Sequence, residues 1–417
     1  MPTLADRRGL RLFVLCALYF AQGVPWGFVA ITLVAWLGER GMSTEEIGGL
    51  MALATLPWSF KWAFGPLIDA VPLPGGRRRP WILLAQAAMA LTIGAMAAFG
   101  DLAAAPSALA MVIFLHNCFN AMQDVAVDAL AVDLLDEDER GRANGMMYGS
   151  KYLGGAVGGA GLAQLIAGAG MRTALFAQTA LLCAIFLLPL LFREGATRNA
   201  SPAGGGVARA RALLGDLLRA FSLRSTVVGA GLALGVQLAA GVLSTVAAVF
   251  YTQHLGWTME DYASVTGGWA IGFGLLGSVG GGWIADRIGH RRMIAIASVL
   301  LGTLWIGFGS AESLWSNRSV VVGVLLAESM LQALVSVGLF ALFMDIAWPR
   351  VAATQFTAYM AMLNLSTTIG HRLAGPLDAW LDFGGLYVVA GAVQVAVIVL
   401  LWPIDPHQTR AVLGDGD

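Results

Sequence analysis

Charge is what this sequence has least of. Only 12% of its 417 residues are Asp, Glu, Lys or Arg, against 58% hydrophobic ones, and the mean hydropathy is +0.73. That balance excludes an ordinary soluble domain and the charge-rich chain of a disordered segment. The formal net charge of -1 gives no footing for a nucleic-acid partner, which needs clustered cations. Cysteine is also scarce. Cys16, Cys118 and Cys183 fall in apolar runs, with neither zinc-site nor disulfide spacing, and read as small apolar fillers. His116, His254, His290, His371 and His407 are scattered, and the glycine-rich stretches lack a phosphate-loop pattern. No enzyme constellation, metal set or cofactor site emerges. Lysine is rarest of all: of 25 basic residues only Lys61 and Lys151 are lysines.

Long apolar runs take up the space that charge leaves. Runs of about 20 residues can cross a bilayer core of roughly 30 Å as helices. Twelve are separated by charged or Gly/Pro-rich turns, at 10–37, 46–69, 80–100, 107–135, 142–169, 172–192, 224–252, 261–286, 292–311, 318–346, 352–381 and 385–404. The basic, apolar N-terminus has the look of a signal peptide, but the run continues through Gln22 and Pro25 to Trp36 without a small-residue cleavage site. It reads as an uncleaved first span. The predicted class is an all-α polytopic membrane protein. Its expected parts are a six-helix bundle at 1–193, a linker at 194–223 rich in Gly, Ala and Arg, and a second six-helix bundle with a short tail at 224–417. Within the linker, Ala208 to Phe221 has the pattern of a short basic amphipathic helix on the membrane surface.

Arginine placement orients the chain. With the N-terminus inside, the cytoplasmic segments collect most of the arginines, including Arg7, Arg8, Arg11, Arg77, Arg78, Arg79, Arg140, Arg142, Arg287, Arg291, Arg292 and Arg350. The outer loops hold only Arg40, Arg172 and Arg318. Both termini are therefore expected in the cytoplasm. Lys61, Lys151 and Arg372 remain, all inside predicted helices.

An internal repeat divides the chain. "GPLIDAVPLPGGRRRP" ends the second span and "GWIADRIGHRRM" the eighth, placing Gly65 and Asp69 217 residues before Gly282 and Asp286; the same offset carries Asp128 onto Asp345. Two parallel six-helix repeats are a transporter architecture. The Gly-xxx-Asp, turn, Arg-Arg pattern resembles the cytoplasmic loop motif of the major facilitator superfamily. Within it, "LYFAQGVPWG", "LPWSFKWAFGPLIDA" and "QDVAVDALAVDLLDEDERGRANG" resemble the peptide and acetyl-CoA transporter family, which includes AmpG-type muropeptide permeases, acetyl-CoA transporters and related siderophore permeases. The resemblance implies a major facilitator fold and a transported solute of one of those kinds.

Intramembrane ionisable groups are costly, and mark function by default. Lys61 lies eight residues before Asp69, about 12 Å into the membrane at helical rise; the alternative to a functional role is an inner-leaflet anchor that snorkels. In the fourth span Asn117, Asn120, Asp124 and Asp128 fall within about 80° of one another, a polar stripe from which Asp133 points away. Asp124 is the better candidate for a titrating carboxylate, with Asp128 as a second coupling candidate that also fits an inner gate. Asn144, Tyr148, Lys151 and Gly155 share a face of the fifth span, continuing into a small-residue seam at Gly158 and Gly159. Gln22 and Trp26 flank Pro25, which predicts a kinked or unwound first helix lining a cavity.

The expected solute-contacting set is Gln22, Trp26, Trp58, Lys61, Asn117, Asn120, Tyr148, Lys151 and Tyr152, joined in the second half by Gln237, Trp269, Gln332, Asn364 and Arg372. Each of the second-half groups alone reads as packing or interhelical hydrogen bonding before ligand contact, and Arg372 must find an anion, whether Asp378, a solute carboxylate or a phosphate. Asp69, Arg77, Arg78, Arg140, Arg142, Asp286, Arg291, Arg292, Asp345 and Arg350 are expected to form ion pairs of a cytoplasmic gate that make and break as the bundles rock. The combined expectation is a monomeric, proton-coupled importer in the bacterial inner membrane. Its partners are a small-molecule solute and the lipid bilayer. A muropeptide-like anionic solute (GlcNAc-anhydro-MurNAc peptide) comes first, with a siderophore or CoA thioester as the alternative. A non-transporting sensor or assembly factor on the same fold is the reading from another class.

Overall fold

The computed structural model describes residues 3–4, 7–71, 73–98, 101–135, 137–194 and 206–414, and the side chains of 69–70, 137–138, 140–141 and 206–212 fall outside that description. The chain is helical, and the one β-bridge among the described residues joins Thr3 to Arg193. Among the described residues, nine helices are long and apolar enough to cross a membrane: Arg8–Glu39, Arg79–Met96, Arg142–Ala169, Met171–Leu191, Arg224–His254, Met259–Ile288, His290–Ser310, Arg318–Ile346 and Phe383–Leu401. The other three expected spans are also helical but carry polar residues or breaks. They are Thr44–Ser59 with its continuation Phe64–Ala70, Pro106–Leu134, and Ala352–Asp378.

The second span departs from the expected continuous helix. It stops after Ser59, passes through a 3-10 turn at Lys61–Ala63, and resumes at Phe64–Ala70. Two prolines explain the break: Pro57 has no N–H to give its helix, and Pro66 is tolerated only in a first turn, where its missing donor is not needed. Lys61 thus sits at an interruption rather than inside a regular helix. The first span also differs from expectation. Helix continues through Pro25 and loosens just beyond it, into a π segment at Phe28–Leu33. The fifth span has a matching π segment at Val157–Gly161. Thr32 Oγ1 donates to the carbonyls of Gly158 and Gly159 at 2.9 and 2.6 Å, joining the two loosened turns. The linker contains the helix Gly206–Ala220.

Helices in lipid gain little from burying apolar surface against each other, so close backbone approach and polar contacts must hold them. The first and fifth spans meet this way. A Cβ on Gly23 would lie 2.0 Å from the carbonyl oxygen of Lys151, one on Gly27 2.1 Å from that of Gly155, and one on Gly158 1.9 Å from that of Val24. The second half repeats the seam between its seventh and eleventh spans, where a Cβ on Gly241 would stand 2.6 Å from the Thr367 oxygen and one on Gly370 2.4 Å from that of Leu238. Each lies within one residue of the 217-residue offset from Gly23 and Gly154.

The chain forms two compact units. The first comprises Met1–Ser201 and Tyr251–Gly268, the second Pro202–Phe250 and Trp269–Asp417. In the first, Gln253 Nε2 donates to the carbonyls of Gly38 and Met42 at 2.9 and 2.8 Å. In the second, a core of Leu232, Val236, Leu339, Phe343 and Tyr359 is fully buried, with Phe343 and Tyr359 stacked at 4.5 Å.

Candidate functional site

The first unit brings the chain's two lysines to one carboxylate. Lys61 Nζ lies 3.4 Å from Asp124 Oδ2, and Lys151 Nζ lies 3.3 Å from Asp124 Oδ1. The Asp124 side chain is 5% exposed, while those of Lys61 and Lys151 are 23% and 26% exposed. Each element has a reason to deliver its group. The proline-framed break releases Lys61 from a helix face, the fourth span places Asp124 on its polar stripe, and the glycine seam draws Lys151 against the first span. Lys151 Nζ also stands 5.0 Å from the Trp58 ring and 5.6 Å from the Tyr19 ring, a cation over aromatic faces.

The rest of the expected stripe is engaged nearby. Tyr19 OH donates to Asp128 Oδ1, and the Tyr19 and Tyr148 rings meet edge to face at 5.6 Å. Asn117 Nδ2 donates to the Ala54 carbonyl at 3.0 Å and Asn120 Nδ2 to that of Gln22 at 3.5 Å. A glutamine relay crosses the unit: Gln22 Nε2 donates to Gln123 Oε1 at 2.7 Å, Gln123 to Gln86 Oε1 at 3.0 Å, and Gln86 to the Leu182 carbonyl at 3.2 Å. Two acceptors are left over, for Gln22 Oε1 and Asn120 Oδ1 are buried with no donor among the described residues. Tyr148 and Tyr152 expose about half their surface, at 53% and 46%, and Trp26 is half-buried. Together these groups make two cations around one acid, with unused acceptors and aromatic faces beside them.

The second unit carries no copy of this cluster. At the repeat offset Lys61, Asp124 and Lys151 correspond to Ser278, Ala341 and Thr368. Of the expected second-half contacts, Gln237 sits at a break between the helices Arg224–Val236 and Leu238–Val249, Trp269 is 71% exposed, and Asn364 is half-buried. Arg372 is exposed and makes no ion pair with Asp378 or any other acid among the described residues. Gln332 Nε2 donates to Glu328 Oε1 at 2.9 Å. Glu328 is an intramembrane acid absent from the expected set, and its signal in the sequence is a lone carboxylate ten residues into the tenth span.

Half of the expected gate residues, Arg77, Arg78, Arg291, Asp345 and Arg350, have partners within their own units. Arg78 Nε pairs with Asp133 Oδ2 at 3.2 Å, both side chains under a tenth exposed. The backbone N–H groups of Arg77 and Arg78 donate to Glu194 at 2.9 and 2.6 Å, and that of Arg79 donates to the same carboxylate, a carboxylate held at a helix N-terminus. From the "DEDERGR" run, Glu139 takes Arg8 and Arg11, each at 2.6 Å. Asp345 pairs with His290 at 2.6 Å, and Arg350 with Asp216 of the linker helix at 3.1 Å. Arg142, Asp286 and Arg292 are exposed. The side chains of Asp69 and Arg140 lie outside the described residues. Glu139 offers a stability test. Glu139→Ala removes the carboxylate that both Arg8 and the buried Arg11 hold, and an expected loss of about 3 kcal/mol would appear as a lowered melting temperature in detergent.

A helical membrane chain of two repeated units, with a charged cluster inside one of them, is a secondary transporter of the major facilitator type. The Major Facilitator Superfamily model matches residues 229–417. The structure resembles that of the nucleoside transporter NupG, solved as a point mutant, with a TM-score of 0.73 at 13% identity, covering 94% of this chain and 99% of that one. The BT1 family model matches residues 22–255, more than half of the chain, and the chain belongs to the BT1 family. Among relatives, it is 25% identical over 400 residues to the anhydromuropeptide permease of Escherichia coli K12, covering 94% of this chain and 79% of the permease. It is also 25% identical over 381 residues to an uncharacterized protein of Haemophilus influenzae, covering 88% of each.

Proposed function

We propose that this transporter is a proton-coupled symporter importing an anionic, amphipathic solute across the bacterial inner membrane, a muropeptide-like glycopeptide first among the candidates. The observation that carries the reading is the placement of both lysines on Asp124, within 3.4 and 3.3 Å of its two oxygens. A solute carboxylate that reaches these ammonium groups competes with Asp124 for them. A buried carboxylate stripped of its cations is neutralised by a proton rather than left charged. Solute and proton then load together. When the solute leaves, the lysines return to Asp124 and expel the proton.

The surroundings suit a glycopeptide. Peptide carboxylates match the ammoniums, and sugar faces suit Trp58, Tyr148 and Tyr152, the two tyrosines each about half exposed. Similarity to the anhydromuropeptide permease and the resemblance to the peptide and acetyl-CoA transporter family support the same choice. Asp128, held by Tyr19, is the reserve proton site. The arginine asymmetry supports cytoplasmic termini, and the working unit is taken as a monomer.

Uptake of labelled GlcNAc-anhydro-MurNAc tripeptide into proteoliposomes tests the proposal. Accumulation should need an inward proton gradient, and no gradient-dependent uptake of this or the alternative solutes would favour a sensor or assembly role. Lys61→Met and Lys151→Met should each weaken solute binding by about tenfold, less than a fully buried pair would lose, because a quarter of each lysine is exposed. Unchanged dissociation constants in both variants would exclude the lysines as the anion site.

A further inference from the structure

The second unit contains a cavity of about 700 Å³ at the arginine-rich end of its helices. Arg291, Arg292, Arg410, His290 and His407 line it, with Asp345. Asp345 is the one carboxylate on that lining among the described residues, and His290 Nδ1 already holds its Oδ2 at 2.6 Å. Three guanidiniums therefore face a space whose acid is engaged. Arg291 is fixed by donation from Nη2 to the Trp402 carbonyl at 3.0 Å, and its Nε is buried with no acceptor among the described residues. Guanidinium groups present paired donors in the geometry of phosphate oxygens.

The far wall is apolar, formed by Leu342, Ile398 and Leu401. At its mouth Trp402 is 86% exposed and Ile288 36% exposed, an arrangement suited to the interface between headgroups and acyl chains. A free phosphate would leave the apolar wall unused; a phospholipid uses both. We propose that this cavity binds the phosphate headgroup of an anionic phospholipid, whose acyl chains run along Ile288, Ile398 and Trp402. Basic pockets between helix ends are suited to such headgroups. The site is independent of the lysine cluster and of the solute transported.

Native mass spectrometry of the detergent-solubilised full chain tests this, with phosphatidylglycerol and phosphatidylcholine added in equal amounts and glycerol 3-phosphate as the soluble arm. The parent protein should retain phosphatidylglycerol in preference to phosphatidylcholine. The double variant Arg292→Gln with Arg410→Gln, both exposed positions, should bind phosphatidylglycerol more weakly by roughly fivefold per arginine removed. A charge-matched control at the other end, Arg172→Gln with Arg318→Gln, should retain the lipid as the parent does. Equal retention of the two lipids, or equal phosphatidylglycerol binding by the parent and the Arg292/Arg410 variant, would overturn the proposal. Displacement of phosphatidylglycerol by millimolar glycerol 3-phosphate would overturn it in favour of a soluble phosphate ligand.

Discussion

Asp124→Asn is expected to abolish proton-driven accumulation in proteoliposomes while leaving solute counterflow intact. Asparagine keeps the shape of the carboxylate and one acceptor oxygen, so the second span, the fourth and the fifth still meet. It cannot exchange a proton. Counterflow needs only that the loaded carrier cross back and forth, and a permanently neutral residue mimics the proton-loaded state. Net accumulation needs the empty carrier to shed its proton, and the variant has none to shed. For one proton per solute, each pH unit of gradient supports about tenfold accumulation; the variant should fall to no accumulation at all. Persistence of the full gradient response would move coupling to Asp128 or to Glu328.

Gly158→Ala should be the most damaging single methyl in the first unit. The added carbon would stand 1.9 Å from the Val24 carbonyl oxygen and 2.8 Å from the Phe28 nitrogen, both backbone atoms. No side chain can swing aside there, and the helices must part. Parting them moves Lys151 away from Tyr19 and opens the Thr32 bonds. The expected cost is about 3 kcal/mol, the upper end for overpacking, read as a drop in melting temperature in detergent. Gly168→Ala on the same span meets nothing within 4 Å and gains helix propensity of up to about 1 kcal/mol. Equal melting temperatures for the two variants would show that the seam does not hold the unit together.

Much of this site was legible in the residues because membrane helices are regular and charge inside them is rare. Two lysines in a chain that otherwise uses arginine, with an acid on the polar stripe of the fourth span, are enough to single out all three groups. The fifth-span side of the glycine seam, at Gly155 and Gly158, is legible from spacing, while its first-span partners Gly23 and Gly27 are not. Partner choice was harder. Tyr19 went unnoticed as the donor to Asp128, although it stands three and four residues before Gln22 and Gly23 and so shares their helix face. Glu194 was missed for a different reason. Its partners are backbone N–H groups at residues 77–79, which side-chain spacing cannot reveal. The break at Lys61 follows from Pro57 and Pro66, a signal masked by the apolar run around them. For Arg372, periodicity does not say which face of the eleventh span is open.

The central claim is that the solute's carboxylate and Asp124 compete for the same two lysines. Isothermal titration of GlcNAc-anhydro-MurNAc tripeptide into the parent protein and into Asp124→Asn tests it most directly, with the fully amidated tripeptide as the comparison that lacks carboxylates. Removing the competitor should make the carboxylate-bearing solute bind more tightly to the variant, by about tenfold or more, and leave the amidated solute unchanged. Weaker or unchanged binding of the carboxylate form to Asp124→Asn would contradict the account.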